Sequence, residues 1–185
     1  MEVIQAVRGV IPETTPLFVR ISTTEWMEYA GKPSWDVPSS IRLAKLLPPL
    51  GVDLLDCSSG GNNAEQKIVL HPYYQVDNAG KIREALKADG LELLIGAVGM
   101  ISEAEMAKNI VQDGTKAATI GSTSKTIEVE LDDEPGRVAQ ADVVLVARQF
   151  LREPNWVLKV ADALEVDVKW ANQYMRGPRS KKPKL

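Results

Sequence analysis

Cysteine and histidine each occur once, as Cys57 and His71, in a chain of 185 residues. A single cysteine excludes an internal disulfide and fits a reducing compartment. A single histidine, set in the loop His71-Pro72-Tyr73-Tyr74 with no other cysteine or histidine beside it, excludes the usual zinc-ligand spacings. No metal is therefore expected, and His71 reads as a surface loop residue. With no Gly-x-Ser-x-Gly elbow either, a Ser/His/Asp hydrolase has no foundation here. Long apolar runs are also missing. None approaches the ~20 residues that span a bilayer, and the N-terminus has no signal-peptide pattern, so a cytoplasmic location without a membrane partner is expected. Neither charge sign dominates, since the net charge is −3, and no footprint for nucleic acid follows. The one local bias is Arg176, Arg179, Lys181, Lys182 and Lys184 near the end, which makes residues 178–185 a basic flexible tail. Its last three residues, Pro183-Lys184-Leu185, differ by one from the Ser-Lys-Leu peroxisomal address, the alternative location. The G-x-G-x-x-G dinucleotide fingerprint is absent as well.

What is present is an ordinary globular composition, 44% hydrophobic and 25% charged, in one domain's length of chain. Val3, Ile4, Val7 and Val10 repeat at helical spacing until Pro12 and Pro16 interrupt them. Leu17-Phe18-Val19-Arg20-Ile21 is a short apolar run between turn residues and predicts a buried strand. Asp36 opens a helix that ends at Pro48-Pro49. A second strand is expected over 52–57, running into Ser58-Ser59-Gly60-Gly61, and a third over 91–98. Helical stripes follow each, at Ala79, Ile82, Ala85 and Leu86, and at Met106, Ala107, Ile110 and Val111, the latter opened by a Ser102/Glu105 capping box. Between about 115 and 140 the rhythm changes to strict alternation, Ile127-Glu128-Val129-Glu130-Leu131, and a turn at Glu134-Pro135-Gly136-Arg137. An inserted β-hairpin is expected there. A fourth strand over 142–147 and a helix from Pro154 carrying Trp156 complete four β-then-α units.

Strands this continuously apolar imply a parallel sheet with helices on its faces. An open doubly wound sheet and half of a (β/α)8 barrel both fit, and periodicity alone does not choose between them. In either case ligands bind beyond the carboxyl ends of the strands. Those ends carry Arg20-Ile21-Ser22, Cys57-Ser58-Ser59-Gly60-Gly61, Gly96-Ala97-Val98-Gly99 and Ala147-Arg148. Small residues there let a ligand approach backbone N–H groups, and arginines attract anions. Taken singly, these features have plain alternatives. Gly96 and Gly99 serve tight turns equally well, Arg20 and Arg148 could each pair with a neighbouring carboxylate, and Cys57 reads as a small buried residue.

Six ordered segments carry a resemblance: 17–22, 51–61, 96–101, 141–148, Phe150-Leu151-Arg152-Glu153-Pro154 and Gln173-Tyr174-Met175-Arg176. Together they resemble the old yellow enzyme family, in particular its thermophilic-like and fungal branch, over nearly the whole chain apart from the hairpin and the tail. The resemblance implies an FMN-binding (β/α)8 TIM barrel, of which residues 1–177 would be the C-terminal half, strands five to eight. It implies reduction of activated C=C bonds or related acceptors, with NADPH or NADH as hydride donor. Arg20 matches the family arginine beside the flavin N1/C2 carbonyl, and Gly99 with Ala147 and Arg148 matches the phosphate-holding segments. The family usually has glycine where Ala147 stands. Ser58 and Ser59 lie at the strand end that faces the cofactor. Arg176 matches an arginine that reaches into a neighbouring subunit's active site, which implies a homo-oligomer. No segment matches the family's substrate-anchoring histidine pair or its proton-donating tyrosine. From the missing half follow three expectations: a complementing half-barrel, a longer parent protein, or a catalytically inactive chain acting through association.

Overall fold

The computed structural model describes residues 1–114 and 138–174. All but the last three residues of the expected hairpin, together with Arg176 and the basic tail, lie outside the described residues.

Four strands, β1 (Phe18–Ser22), β2 (Leu54–Ser58), β3 (Leu94–Val98) and β4 (Val143–Leu145), form one sheet in the order β1-β2-β3-β4. Every pairing is parallel. Parallel neighbours need a crossover, and helices stand between them as the sequence pattern predicts: α2 (Val37–Ala44), α3 (Val76–Ala88) and α4 (Ala104–Val111). A first helix, α1 (Glu2–Arg8), precedes β1, while α5 (Arg148–Arg152) and α6 (Trp156–Ala163) follow β4. The strand order runs straight through, without the reversal that defines a doubly wound sheet.

Side chains alternate across a strand, and here the two faces differ. Val19, Ile21, Leu55, Cys57, Ile95, Ala97 and Val144 join Ala44, Val76, Ile82, Leu86, Met106 and Ile110 from the helices in one core cluster. On the other face the register stacks three layers. Phe18, Leu54 and Leu94 lie at the amino ends, then Arg20 opposite Asp56 opposite Gly96 opposite Val143, then Ser22 opposite Ser58 and Val98 opposite Leu145. Leu54, though buried, belongs to no helix-packed cluster, and Phe18 and Leu94 are 59% and 50% exposed. Of the two architectures that the pattern left open, the doubly wound sheet needs helices on both faces, and the described helices pack on one.

Local signals were mostly sound. The Asp36 carboxylate accepts a hydrogen bond from the Ser39 N–H at 2.8 Å and caps α2, with Pro38 in the first turn. The Ser39 hydroxyl, which also donates to it, holds the Asp36 carboxyl below its ordinary range. Replacing Asp36 by alanine is expected to lower unfolding stability, as the loss of an N-cap does. Urea titration of the two proteins measures the difference. The Ser102/Glu105 capping box is not formed. Glu103 is the N-cap of α4, and the Ser102 hydroxyl instead donates to the Glu103 carboxylate at 3.4 Å. The last helix begins at Trp156 rather than Pro154, and residues 148–152 form the separate helix α5. Trp156 is a core residue, as its stripe predicted: its indole N–H donates to the Ser102 carbonyl at 2.7 Å, and Phe150 meets its ring edge-on at 5.9 Å.

Candidate functional site at the carboxyl ends of the strands

Five of the six residues expected to bind a cofactor, Ser58, Ser59, Gly99, Ala147 and Arg148, line one cavity of about 470 Å³ beyond the carboxyl ends of β2, β3 and β4. Local structure explains the shape of each wall. The β2 strand runs out into Ser58-Ser59, and the Ser58 carbonyl accepts from both the backbone N–H and the hydroxyl of Thr23 at 2.8 and 2.9 Å. That ties the β1 and β2 ends together. The buried Asn78 side chain donates to the same Thr23 hydroxyl at 3.2 Å, and the Ser40 hydroxyl donates to the Thr23 carbonyl at 2.8 Å. A satisfied buried network of this kind holds loop geometry rigidly.

The third wall is the β3 turn. Gly99 has φ of 114°, which L side chains rarely adopt. A Cβ on Gly99 would also stand 2.3 Å from Nε2 of Gln75. Gln75 itself is buried, accepts from the Ser59 hydroxyl at 2.8 Å and donates to the Val98 carbonyl at 2.7 Å. One amide side chain thus joins the β2 loop to the β3 turn. The sequence reading missed Gln75, because no local pattern marks a glutamine whose partners come from two different strand ends.

Electrostatically the cavity is one-sided. Among the described residues, Arg148 and Arg152 line it, and no aspartate or glutamate does. Arg152 donates to the Gln149 carbonyl oxygen of its side chain at 3.1 Å. Arg148, at the start of α5, makes no hydrogen bond or ion pair among the described residues and is exposed. The alternative of an Arg148–carboxylate pair is therefore not realised there. An unpaired guanidinium beside a tight backbone turn and serine hydroxyls, in a hollow without carboxylates, is an arrangement that receives an anion.

Arg20 is the exception among the six. It does not line the cavity but stands one layer below, on the edge strand, where its Nε donates to the Asp56 carboxylate. The plain alternative for this arginine, pairing with a neighbouring carboxylate, is thus realised. Asp56 was the second residue the sequence reading passed over. A charged residue inside Leu54-Leu55-Asp56-Cys57 was a usable signal, since a buried charge requires a partner.

Cys57 points the other way, into the core, and is fully buried. Burial, with a smaller contribution from the Asp56 charge, pushes its thiol up to about 12. The thiolate is the reactive form, so the folded protein should be inert to thiol reagents at pH 8 and react only once denaturant is added. Because the folded thiol stays neutral, its contribution to stability is complete below the ordinary value of 9.0 and is lost as pH rises from there towards 12. The alkaline loss of stability over that window should be smaller in Cys57→Ala. His71 lies on a surface loop as expected, 3.7 Å from the Asp77 carboxylate and about half exposed. No helix among the described residues is long and apolar enough to cross a membrane.

Similarity to known proteins runs along almost the whole chain. No protein-family model matches it. An NADH:flavin oxidoreductase of Gibberella zeae is 36% identical over 181 residues, which is 94% of this chain and 37% of that protein. The NADPH dehydrogenases of Bacillus subtilis and Bacillus velezensis are each 33% identical, over 88% and 95% of this chain and 38% and 41% of theirs. The chain thus spans about two-fifths of the length of these curated relatives. Over that span the chain belongs to the old yellow enzyme family of NADH:flavin oxidoreductases and NADPH dehydrogenases.

Proposed function

We propose that this chain supplies the cofactor-binding half of an FMN-dependent NAD(P)H oxidoreductase that reduces activated C=C bonds or related acceptors. The carrying observation is the cavity in which Ser58, Ser59, Gly99, Ala147 and Arg148 come together, with no carboxylate among the described residues that line it. These residues suit FMN at its phosphate end. Arg148 has its fork unengaged among the described residues, and Gly99, with its φ of 114°, forms the tight β3 turn in the lining of the same cavity. Ala147, where the family resemblance implies glycine, still presents a backbone N–H, because the methyl group does not remove the donor. Arg20, on the edge strand three strand spacings from β4 (about 14 Å), would place positive charge at the opposite end of an elongated ligand. FMN, when bound, supplies the hydride-accepting and hydride-donating chemistry. Arg148 neutralises the phosphate, the Gln75 bridge holds the β2 and β3 ends in fixed relation, and Arg20 offers preorganised positive charge where negative charge grows.

The half-barrel reading rests on three features: a singly wound parallel sheet, helices on one face, and relatives more than twice as long. A complete (β/α)8 barrel would cover the open face that carries Phe18 and Leu94. A complementing half-barrel or a second copy would do so too, and Arg176 would then act between subunits. The same open face favours a second reading, in which the chain is catalytically inactive and acts through association. The buried lone cysteine accords with a cytoplasmic setting.

Titration of the purified protein into FMN decides the first reading. Quenched flavin fluorescence and a yellow protein are expected after gel filtration, and a colourless protein that leaves FMN fluorescence unchanged would sink the cofactor assignment. Sedimentation in the same buffer addresses the second, because a strictly monomeric chain would remove the association reading.

A further inference from the structure

Among the described residues, Asp56 is the one buried carboxylate on the open face of the sheet. It lies at the centre of β2, in register with Arg20 on one side and Gly96 on the other. Its side chain is 9% exposed, whereas that of Arg20 is 60% exposed. An exposed arginine on an edge strand ordinarily samples many rotamers, and holding one costs side-chain entropy. Here the contact is confined to one nitrogen. The Nε–H donates to Oδ2 of Asp56, while the two terminal nitrogens of Arg20 make no hydrogen bond among the described residues. The other oxygen of Asp56, Oδ1, is buried without a hydrogen-bond partner. Nothing else in the described structure therefore opposes the Asp56 charge at hydrogen-bond distance, and nothing else directs the Arg20 fork. Gly96, the third position of that layer, is covered by the Leu145 side chain, whose Cδ1 lies 2.6 Å from where a Cβ would stand.

We infer that Asp56 is a positioning residue: it grips Arg20 by Nε and presents the two terminal guanidinium nitrogens to the anionic or electron-accepting end of the ligand bound at the strand ends. This deepens the flavin reading above and rests on it for the identity of the ligand. Two consequences separate positioning from a role in folding alone. Losing Asp56 should act through Arg20, so the effects of Asp56→Asn and Arg20→Ala should coincide rather than add. The electrostatic setting of the ligand should also change, not merely its affinity.

The test has a ligand-free arm and a flavin arm. In the ligand-free protein, the Arg20 Nε–H is expected as a discrete, slowly exchanging proton resonance, assigned by its disappearance in Arg20→Lys and lost in Asp56→Asn. Its persistence in Asp56→Asn overturns the positioning role whether or not flavin binds. In the flavin arm, FMN affinity and midpoint potential are measured for the native protein, Asp56→Asn, Arg20→Ala and the double variant. Each single variant is expected to weaken the preference for reduced flavin by about tenfold, a fall of about 30 mV for a two-electron couple, with no further fall in the double variant. A rise in potential in Asp56→Asn would show that Asp56 damps Arg20 rather than placing it, and would overturn the inference, as would additive losses in the double variant. A native protein that fails to bind FMN while its Nε–H resonance depends on Asp56 overturns the flavin reading and leaves the positioning intact.

Discussion

Gly99→Ala is expected to destabilise the protein by about 2–5 kcal/mol, combining backbone strain of about 1–3 kcal/mol with broken buried hydrogen bonds of similar size. Two independent constraints meet at this residue. Its φ of 114° is strained for any L side chain, and the new methyl group would stand 2.3 Å from the Gln75 amide nitrogen. Gln75 would have to leave, and with it go the bonds to Ser59 and to the Val98 carbonyl that fasten the β2 loop to the β3 turn. Differential scanning calorimetry should record a fall in Tm of roughly 5–15 °C at this chain length. Gly61→Ala supplies the control. Gly61 also has positive φ, 82°, but nothing lies within 4 Å of its Cβ position. It carries only the backbone penalty. Equal losses at both positions would mean that the Gln75 bridge contributes nothing.

Arg148→Ala should weaken FMN binding by roughly tenfold to a hundredfold, which corresponds to a charged hydrogen bond of about 1.5–3 kcal/mol. The folded stability should scarcely change, because the guanidinium is exposed and engages no partner among the described residues. That combination marks a ligand-binding side chain rather than a structural one. Arg148→Lys should fall between the two, since lysine keeps the charge but loses the paired donors that match phosphate geometry. Raising the salt concentration should weaken binding to the native protein more than to Arg148→Ala. Isothermal titration with FMN, and with riboflavin as a phosphate-free comparison, gives the required contrast. Riboflavin affinity should be insensitive to Arg148, and an equal loss for both ligands would remove the phosphate contact.

The two arginines expected at the site illustrate how far local reading reached. Arg148 stands just past its strand end, where the pattern put it, whereas Arg20 is the central residue of β1, and for each a carboxylate partner was an open alternative. Sequence spacing could not distinguish them, because the deciding contacts are made across strands. Arg20 faces Asp56 through the β1–β2 register, and Arg148 faces a cavity with no carboxylate in its lining. Gln75 shows the same limit from the other side. It sits at the N-cap of α3, where nothing in its neighbourhood marks it, yet it touches two of the predicted cofactor segments.

The sequence by itself determined the element order, the parallel character of the sheet and the burial of Cys57 and Trp156. These follow from short-range physics: continuous apolar runs suit strands covered by helices, Asp36 accepts a helix N–H, and proline ends a helix. It also determined which strand ends carry small residues and arginines, and through six ordered segments it pointed to the family. Only the tertiary structure decided that the strands run in unbroken order with the described helices on one face, because a period-2 pattern does not say which of two apolar faces meets a helix. Only it brought Ser58, Ser59, Gly99, Ala147 and Arg148 around one cavity while setting Arg20 a layer lower against Asp56. Register and crossover direction are long-range properties, fixed when strands distant in the chain pair, and no single segment contains them.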